Sequence, residues 1–267
     1  MAVSQGEKNG EKSVLAVDVG NTTTRLGLFT GGELVSTWEL TTRERLTVDE
    51  ARMKLAQALA MMGEPLPAES ILACVVPTLT DVWRSALAAT CGSRPLVVGP
   101  GLKTGIRMRY DDPSEVGADR VADVVAAREA YGAPVVVVDL GTTTNFEVVD
   151  GEGAFAGGII APGVALGARS LSAAAARLPM IELRAPAAVI GRNTRSAMQS
   201  GVVLGEVARI DGLLDAIADE MGCQPPVVIT GDGSAAMAAL LRHNAKVDDT
   251  LTLRGLWHLW RSNRRER

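Results

Sequence analysis

Apolar residues in the first third of the chain come in short runs that alternate with amphipathic stretches. Residues 14–30, VLAVDVGNTTTRLGLFT, are two apolar runs joined by a polar turn with one glycine, which predicts two strands, and residues 33–40 predict a third. Apolar positions recur at helical spacing in residues 49–62 and 81–90, whereas residues 71–77 are typical of a buried strand. Strands that alternate with helices indicate an α/β sheet.

The second half of the chain continues the alternation. Ser114 is placed to cap a helix over residues 114–131, and the run VVVVDLGTTTNFEVV follows at residues 135–149. The remaining pattern predicts a strand that ends in a glycine-proline turn at residues 153–163, and helices at about 163–177 and at 194–221. A strand, a glycine turn and a helix are predicted at residues 225–241. The whole chain therefore favours α/β architecture.

Asp18 and Asp139 mark an internal repeat. Each closes an apolar strand and is followed two positions later by glycine and then by hydroxyl residues, and the two aspartates are 121 positions apart. Such self-similarity predicts a duplicated domain. We expect a disordered extension at residues 1–12, one domain at residues 13–131 and a second at residues 132–267, facing each other across a cleft.

Composition narrows the class of protein. Hydrophobic residues make up 47% of the 267-residue chain, enough for one large core or two ordinary ones. The net charge of −4 provides no positive field for nucleic acid or an anionic membrane, so a small-molecule partner is expected. Without a signal segment or a membrane-spanning run, a cytoplasmic enzyme is expected, in which Cys74, Cys91 and Cys223 are reduced core residues.

The repeated turn has a chemistry of its own. Without a Cβ atom at Gly20 or Gly141, a phosphate can approach backbone N–H groups closely, and threonine hydroxyls add donors. An aspartate repels phosphate, so Asp18 and Asp139 are expected to hold a cation or its waters. Alternatively, the threonines are only good strand formers and the aspartates cap turns, but the repetition favours a shared function in gripping a triphosphate.

Two further stretches carry polar residues in suggestive places. The segment 231–236, GDGSAA, formally matches a dinucleotide fingerprint, but it comes late in the chain, so a turn near the base or ribose of a nucleotide is preferred. In residues 103–127, Asp119 and Arg120 lie early in a predicted helix, where Arg120 can pair with a substrate carboxylate and Asp119 can accept a hydroxyl proton. The alternative for this segment is helix capping and surface ion pairing.

The chain resembles type III pantothenate kinases from about residue 13 to residue 258. The matching stretches, in family order, are DVGNTTTRLG, KTGIRMRYDDPSEVGADR, DLGTTTNFEVVDGEGAFAGGIIAPG, ARLP, IGRNTRSAMQSGVVLG, VVITGDG and LTLRGL. The resemblance implies two duplicated ribonuclease-H-like domains of the actin and sugar-kinase type, with a nucleotide cleft between them. It also implies ATP-dependent phosphorylation of the 4′-hydroxyl of pantothenate, the first step of coenzyme A biosynthesis, by a homodimer that uses Mg²⁺ and a monovalent cation, K⁺ or NH₄⁺.

The resemblance also assigns roles to residues. The ATP-binding positions are Asp18, Val19, Gly20, Asn21, Thr22, Thr23, Thr24, Arg25 and Thr142. Asp18 is linked to Mg²⁺, Asp139 matches the ligand of the monovalent cation, and Asp119 matches the general base. The pantothenate-binding positions are Tyr110, Gly117, Ala118, Asp119, Arg120 and Thr194, the last of which the family supplies across a dimer interface.

Four positions depart from the commonest family pattern. Thr143, Asn145 and Glu147 replace alanine, threonine and aspartate in the second hairpin, and Asp232 interrupts a usual double glycine. We expect altered cation geometry rather than loss of activity. The rival interpretations are a non-catalytic accessory regulator on the same fold, a kinase for another small hydroxy acid or sugar, and a dinucleotide-dependent oxidoreductase.

Overall fold

The computed structural model describes residues 13–63 and 66–264, so the expected extension at residues 1–12 lies outside the described residues. The strands are β1 (Val14–Val19), β2 (Thr23–Thr30), β3 (Glu33–Thr41), β4 (Glu69–Cys74), β5 (Leu96–Val97), β6 (Val135–Leu140), β7 (Thr143–Val149), β8 (Phe155–Pro162), β9 (Val227–Gly231) and β10 (Ala245–Val247). The helices are α1 (Val48–Met62), α2 (Pro77–Cys91), α3 (Ala118–Tyr131), α4 (Val164–Ala174), α5 (Thr194–Gln199), α6 (Gly205–Met221), α7 (Ser234–Ala238) and α8 (Leu251–Asn263).

The chain forms two compact units that are not continuous in sequence. The first contains the described residues up to Thr104, the segment Ser114–Ala122 and the residues from Thr252 onward, and the second contains Gly105–Pro113 and Asp123–Leu251. These units differ from the predicted domain ranges, because α3 is shared between them and α8 belongs with the first unit. The ranges 13–131 and 132–267 remain a prediction.

The two units have the same sheet plan. The first sheet has the order β3-β2-β1-β4-β5, and the second has the equivalent order β8-β7-β6-β9-β10. In each, the central strand pairs antiparallel with the strand that follows it and parallel with a later one, β4 or β9. This shared plan confirms the predicted α/β fold with two ribonuclease-H-like sheets.

Each sheet is held by an apolar core of its own. In the first unit, Leu15, Val17 and Leu72 pack with buried side chains of α1 and α2, and a capping box between Thr47 and Glu50 fixes the start of α1. In the second unit, buried side chains of β6, β7 and β9 pack against α6. Both cores therefore cover one face of the sheet and position the ends of its central strand.

Two predicted helices begin or continue differently from expectation. Ser114 does not cap α3, because Pro113–Glu115 form a 3₁₀ turn and the α-helix begins at Ala118. The predicted helix over 194–221 is divided, since a π-helical segment at Ser200–Leu204 separates α5 from α6. Pro113 at the start of the first segment and the wider π-helical turn in the second are local features. The spacing of apolar residues does not predict either of them.

Helix α8 packs within the first unit. A Cβ atom on Gly255 would lie 1.9 Å from the carbonyl oxygen of Ala122, so only glycine allows α8 to approach α3 this closely. The Trp257 ring stacks on Phe29 with centroids 5.9 Å apart, and buried Trp260 donates from Nε1 to Glu69 Oε2 over 3.0 Å. The C-terminal tryptophans thus serve packing in this unit.

Cysteine burial corrects one expectation. All three cysteines are free, but Cys74 and Cys91 are only partly buried and Cys223 is exposed, so Cys223 is not a core residue. Burial raises the pKa of the Cys74 and Cys91 thiols. In the described part of the chain, no helix has both the length and the apolar character that crossing a bilayer requires.

Candidate active site

The first hairpin places Asp18 at the carboxyl end of the central strand β1. Asp18 is half-buried and lies in register with Arg25 on β2 and Ala73 on β4. After Val19 the chain turns at Gly20, whose N–H donates to the Thr23 carbonyl oxygen over 3.0 Å. A Cβ atom on Gly20 would lie 3.0 Å from that same oxygen, so glycine keeps the turn tight.

The predicted ATP-binding residues of this hairpin divide by exposure. Asn21 and Thr22 are exposed at the turn, whereas Val19 is fully buried. The hydroxyl of Thr24 is also buried and shares a 2.8 Å hydrogen bond with the hydroxyl of Thr42. Its side chain therefore stabilises the hairpin, and the turn residues are the ones with surface to offer a ligand.

Asp119 lies at the start of α3 in the same unit as Asp18. A Cβ atom on Gly117 would lie 2.4 Å from Asp119 Oδ1 and 3.6 Å from Cγ1 of Val75, the residue that follows β4. The N–H of Val75 in turn donates to the Val19 carbonyl oxygen over 3.0 Å. Asp119 is thus held near the carboxyl ends of β1 and β4, the edge that also carries Asp18.

Burial raises the pKa of the Asp119 carboxyl above its ordinary value. The backbone N–H of Arg120, which donates to Asp119 Oδ1 over 2.8 Å, and the Arg120 guanidinium oppose this effect and lower the pKa. A partly desolvated carboxylate with one fixed oxygen is suited to accept a proton at its other oxygen.

Three predicted substrate residues have different settings. Arg120 is buried with 6% of its surface exposed, next to Ala118 and Asp119 at the start of α3. Tyr110 lies in the second unit, where its ring contacts Phe155 of β8 with centroids 5.3 Å apart. Thr194 is the exposed first residue of α5, directly after the capping residue Asn193.

The backbone next to Tyr110 extends the second sheet. The N–H of Arg109 donates to the Phe155 carbonyl oxygen, and the N–H of Phe155 donates to the Arg107 carbonyl oxygen, both over 2.9 Å. This pairing fixes the segment that leads into Tyr110 at the start of β8. Sequence patterns did not predict it because the paired segment is too short for a periodic signal.

The second hairpin repeats the first with a shorter turn. Asp139 pairs with Asn145, six residues on, whereas Asp18 pairs with Arg25, seven residues on. Gly163 lies against this turn, since a Cβ atom there would be 2.3 Å from the Gly141 carbonyl oxygen, and its N–H donates to the Thr142 carbonyl oxygen over 3.1 Å. Half-buried Thr142, the predicted ATP contact, is therefore positioned by the start of α4.

A buried polar network supports this hairpin, and sequence analysis did not identify it. Thr144 donates from Oγ1 to Glu206 Oε1 over 2.6 Å, with both residues buried. Glu206 also forms an ion pair with Arg209, whose guanidinium donates to the Pro162 carbonyl oxygen over 2.5 Å. The sequence did contain one signal of this network, a glutamate on the apolar face of α6, because a carboxylate at a buried position needs hydrogen-bond partners.

The strands beside Asp139 bring neutral oxygens next to its carboxylate, a donor set that a monovalent cation can use. Asn145 and Thr230 flank Asp139 on the neighbouring strands and bring neutral oxygens. Within residues 13–63 and 66–264, no group of three or more His, Cys, Asp or Glu side chains is placed to hold a metal ion. Asp18, a single carboxylate, fits a Mg²⁺ ion that takes most of its ligands from phosphates and water.

Comparisons with known proteins agree on one family. Residues 14–216 match the family described as type III pantothenate kinase. A type III pantothenate kinase from Moorella thermoacetica is 40% identical over 252 residues, covering 94% of this chain and 99% of the relative. The enzyme of that name from Anaeromyxobacter dehalogenans is also 40% identical, over 253 residues that cover 94% of this chain and all of the relative.

Solved structures support the same fold at lower identity. A Campylobacter jejuni protein described as a Baf family transcriptional activator has a TM-score of 0.57 at 20% identity, covering 93% of this chain and 98% of its own. MreB 5 of Spiroplasma citri bound to AMPPNP also has a TM-score of 0.57, at 9% identity, covering 94% and 96%. These likenesses establish the actin-like and sugar-kinase-like fold.

Proposed function

Because this chain belongs to the type III pantothenate kinase family, we propose that it transfers the γ-phosphoryl group of ATP to the 4′-hydroxyl of pantothenate. The observation that carries the proposal is the setting of Asp119, a half-buried carboxylate with raised pKa at the sheet edge that also carries Asp18. This reaction is the first step of coenzyme A biosynthesis, a cytoplasmic pathway, so the proposal includes a cytoplasmic location.

The β1–β2 turn is proposed to bind ATP phosphates. Gly20 keeps the turn tight, and Asn21 and Thr22, which follow it, are exposed and present the surface of the turn to a phosphate. Asp18 would hold Mg²⁺ through its carboxylate, and Thr142 would contact the nucleotide from the second hairpin. When bound, Mg²⁺ supplies charge neutralisation on phosphate oxygens, and a monovalent ion at Asp139 adds positive charge.

Asp119 is proposed to act as the general base. Its ionised carboxylate takes the proton of the pantothenate hydroxyl, the freed oxygen forms a bond to the γ-phosphorus, and the bond from that phosphorus to the bridging oxygen of ADP breaks. A raised pKa brings the carboxylate closer to neutrality, which makes it a stronger base than an exposed aspartate. Arg120 is proposed to pair with the pantothenate carboxylate, and Gly117, Ala118 and Tyr110 to contact the substrate.

A homodimer is part of the proposal. Five large apolar side chains between α4 and α5 or at the end of α4 are exposed, which is typical of a surface that another chain covers: Leu171, Met180, Leu183, Val189 and Ile190. Ile190 is 83% exposed and lies four residues before Thr194. A partner chain on this surface would reach Thr194, consistent with a pantothenate contact supplied across the interface.

The test is phosphorylation of pantothenate by purified protein with ATP and Mg²⁺, with K⁺ compared against Na⁺ at equal ionic strength. We expect phosphopantothenate, identified by mass spectrometry, in amounts that K⁺ increases. The Asp119→Asn variant should bind ATP normally and form product at least about 100-fold more slowly. A folded protein that binds ATP but phosphorylates no pantothenate would contradict the proposal and favour another acceptor or a regulatory role.

A further inference from the structure

Three side chains that carry oxygen occupy one row across the second sheet. Asp139 on β6 is in register with Asn145 on β7 and with Thr230 on β9. Side chains in register on neighbouring strands project from the same face of a sheet. The adjacent residues Val138, Phe146 and Ile229 belong to the apolar core on the opposite face, which confirms where this row points.

Two of these side chains carry oxygens that the protein itself does not satisfy. Asn145 is 8% exposed and Thr230 is 1% exposed. Among the residues that the structure describes, neither Asn145 Oδ1 nor Thr230 Oγ1 has a hydrogen-bond partner. A buried polar oxygen is costly when it is unsatisfied, and two of them flanking one carboxylate are the donor set of a ligand site.

Gly231 allows the backbone of Leu140 and the side chain of Asp139 to approach the end of β9 closely. A Cβ atom there would lie 2.6 Å from Asp139 Oδ1, so the carboxylate oxygen leans toward the residue that follows Thr230. Gly231 also has a φ of +86°, a conformation that side chains disfavour. The carboxylate is therefore held over the carboxyl end of β9, on the side of the row where Thr230 lies.

The oxygens of this row suit a monovalent cation. The row contains one carboxylate and two neutral oxygens. Buried Glu147 lies on the same face one row further along β7, where it pairs with Val137 and Gly158 and has an interaction of its own. One negative charge balances a monovalent cation, and amide carbonyl oxygens are the ligands with which proteins replace the hydration shell of K⁺. Mg²⁺ demands a tighter octahedral set and retains several waters.

We propose that Asn145, through its amide oxygen, and Thr230, through its hydroxyl, are ligands of the monovalent cation at Asp139 and set its preference for K⁺. The inference rests on the proposed function only in assigning a monovalent cation to Asp139. At the position where the family commonly has threonine, Asn145 offers an amide carbonyl oxygen in the same row.

The experiment measures cation binding without turnover. The thermal unfolding midpoint is recorded in the presence of Mg²⁺ and AMPPNP, a non-hydrolysable ATP analogue. In one titration KCl replaces tetramethylammonium chloride at constant ionic strength, and in a second titration NaCl replaces it. For the unsubstituted protein we expect a saturable rise with K⁺ that is larger than the rise with Na⁺. Thr230→Val and Asn145→Leu should each raise the half-saturating K⁺ concentration roughly tenfold, whereas Thr230→Ser should retain the original value.

Ser70→Ala provides the matched control, because Ser70 is equally buried but lies on β4 of the first unit. Its K⁺ response should be unchanged. Unchanged K⁺ titrations of Thr230→Val and Asn145→Leu, in proteins with normal circular dichroism, would overturn the inference. Absence of a K⁺-specific shift in the unsubstituted protein would overturn both the inference and the assignment of a monovalent cation to Asp139. Loss of the shift only in the two variants would support the inference, even if the protein did not phosphorylate pantothenate.

Discussion

The carboxylate of Asp119 occupies the space beside Gly117 that a side chain would need: a Cβ atom on Gly117 would lie 2.4 Å from the Oδ1 atom of Asp119. The contact is to the tip of a side chain rather than to backbone, so the carboxylate can move away without rearranging the start of α3. Gly117 therefore determines where the proposed base is placed, and its effect on stability is expected to be small.

Gly117→Ala should reduce kcat/KM for pantothenate by about 100-fold, because a displacement of the base by about 1 Å removes its alignment with the hydroxyl. The unfolding free energy and the affinity for ATP should change little. Gly212→Ala is the matched control, since Gly212 lies in α6 with no atom within 4 Å of the added Cβ and should retain full activity. Full activity of Gly117→Ala would contradict the positioning role.

Asp119 should make activity and stability respond to pH in opposite directions. Because burial raises its pKa, kcat/KM should fall as the pH drops through a value above the ordinary aspartate range. At pH values between the Asp119 pKa of the unfolded state and its raised pKa in the folded state, the folded protein binds more protons than the unfolded one. The contribution of Asp119 to the unfolding free energy therefore decreases as the pH rises through this range.

Asp119→Asn tests this sign directly. The amide stays neutral and its oxygen can still accept from the Arg120 N–H, so the variant should be inactive but more stable than the parent protein at pH 7. The stability difference should disappear at low pH, where Asp119 is protonated in both states. Urea unfolding at several pH values measures it, and a variant less stable than the parent at pH 7 would show that the charge is favourable where it lies.

The buried pair of Thr144 and Glu206 should stabilise the second hairpin. Thr144→Val leaves a buried carboxylate oxygen without its donor, which should cost about 1–3 kcal/mol of unfolding free energy and weaken ATP binding. Thr144→Ser retains the hydroxyl and serves as the control in both measurements, denaturant unfolding and calorimetric titration with ATP. Equal stability of the valine and serine variants would exclude a role for this hydrogen bond.

Asp211 on α6 accepts from the backbone N–H groups of Arg242 and His243, with 3.0 Å from Oδ1 to the Arg242 nitrogen. Asp211→Ala should lower the unfolding free energy by about 1–3 kcal/mol, and Asp211→Asn by less, since it keeps one acceptor oxygen. The measurement is urea unfolding at pH 7. An alanine variant as stable as the asparagine variant would contradict the role of Asp211 as the acceptor of these two N–H groups.

The neighbouring Asp215 adds a pH-dependent contribution. Arg242 first, and then His243, lower the pKa of its carboxyl, so its contribution is present above the unfolded aspartate pKa of about 3.9 and is lost as the pH falls through the lower folded value. Asp215→Asn should therefore be less stable than the parent at pH 6 and equally stable near pH 2. A gap that persisted at pH 2 would indicate a cause other than charge.

Ile190→Asp should break the proposed dimer. A charge at this exposed apolar position would be buried against the partner chain, so the dissociation constant should rise at least about tenfold and the KM for pantothenate should rise with it. Met53→Asp is the control, because Met53 on α1 is also exposed and apolar but lies in the first unit. Sedimentation analysis showing the same mass for all three proteins would rule out this surface as the interface.

Sequence patterns predicted the hairpins well because each central strand is a continuous apolar run that ends at an aspartate. They also identified the duplication, since Asp18 and Asp139 repeat a local order of residues. They did not predict the Thr144–Glu206 hydrogen bond or the row from Asn145 to Thr230, because those contacts join residues far apart in the chain. Register between strands, which only the folded sheet defines, brings such residues together.

The packing of α8 on the first unit has a consequence for synthesis. Gly255 packs on Ala122 and Trp257 on Phe29, so the unit that begins with β1 needs a helix that is translated after every strand of the second unit. The second unit has all of its strands before that helix emerges. The unit whose first strands are translated earliest therefore cannot be completed until the strands of the second unit have been made, and the segment that carries Asp119 acquires the support of α8 only then.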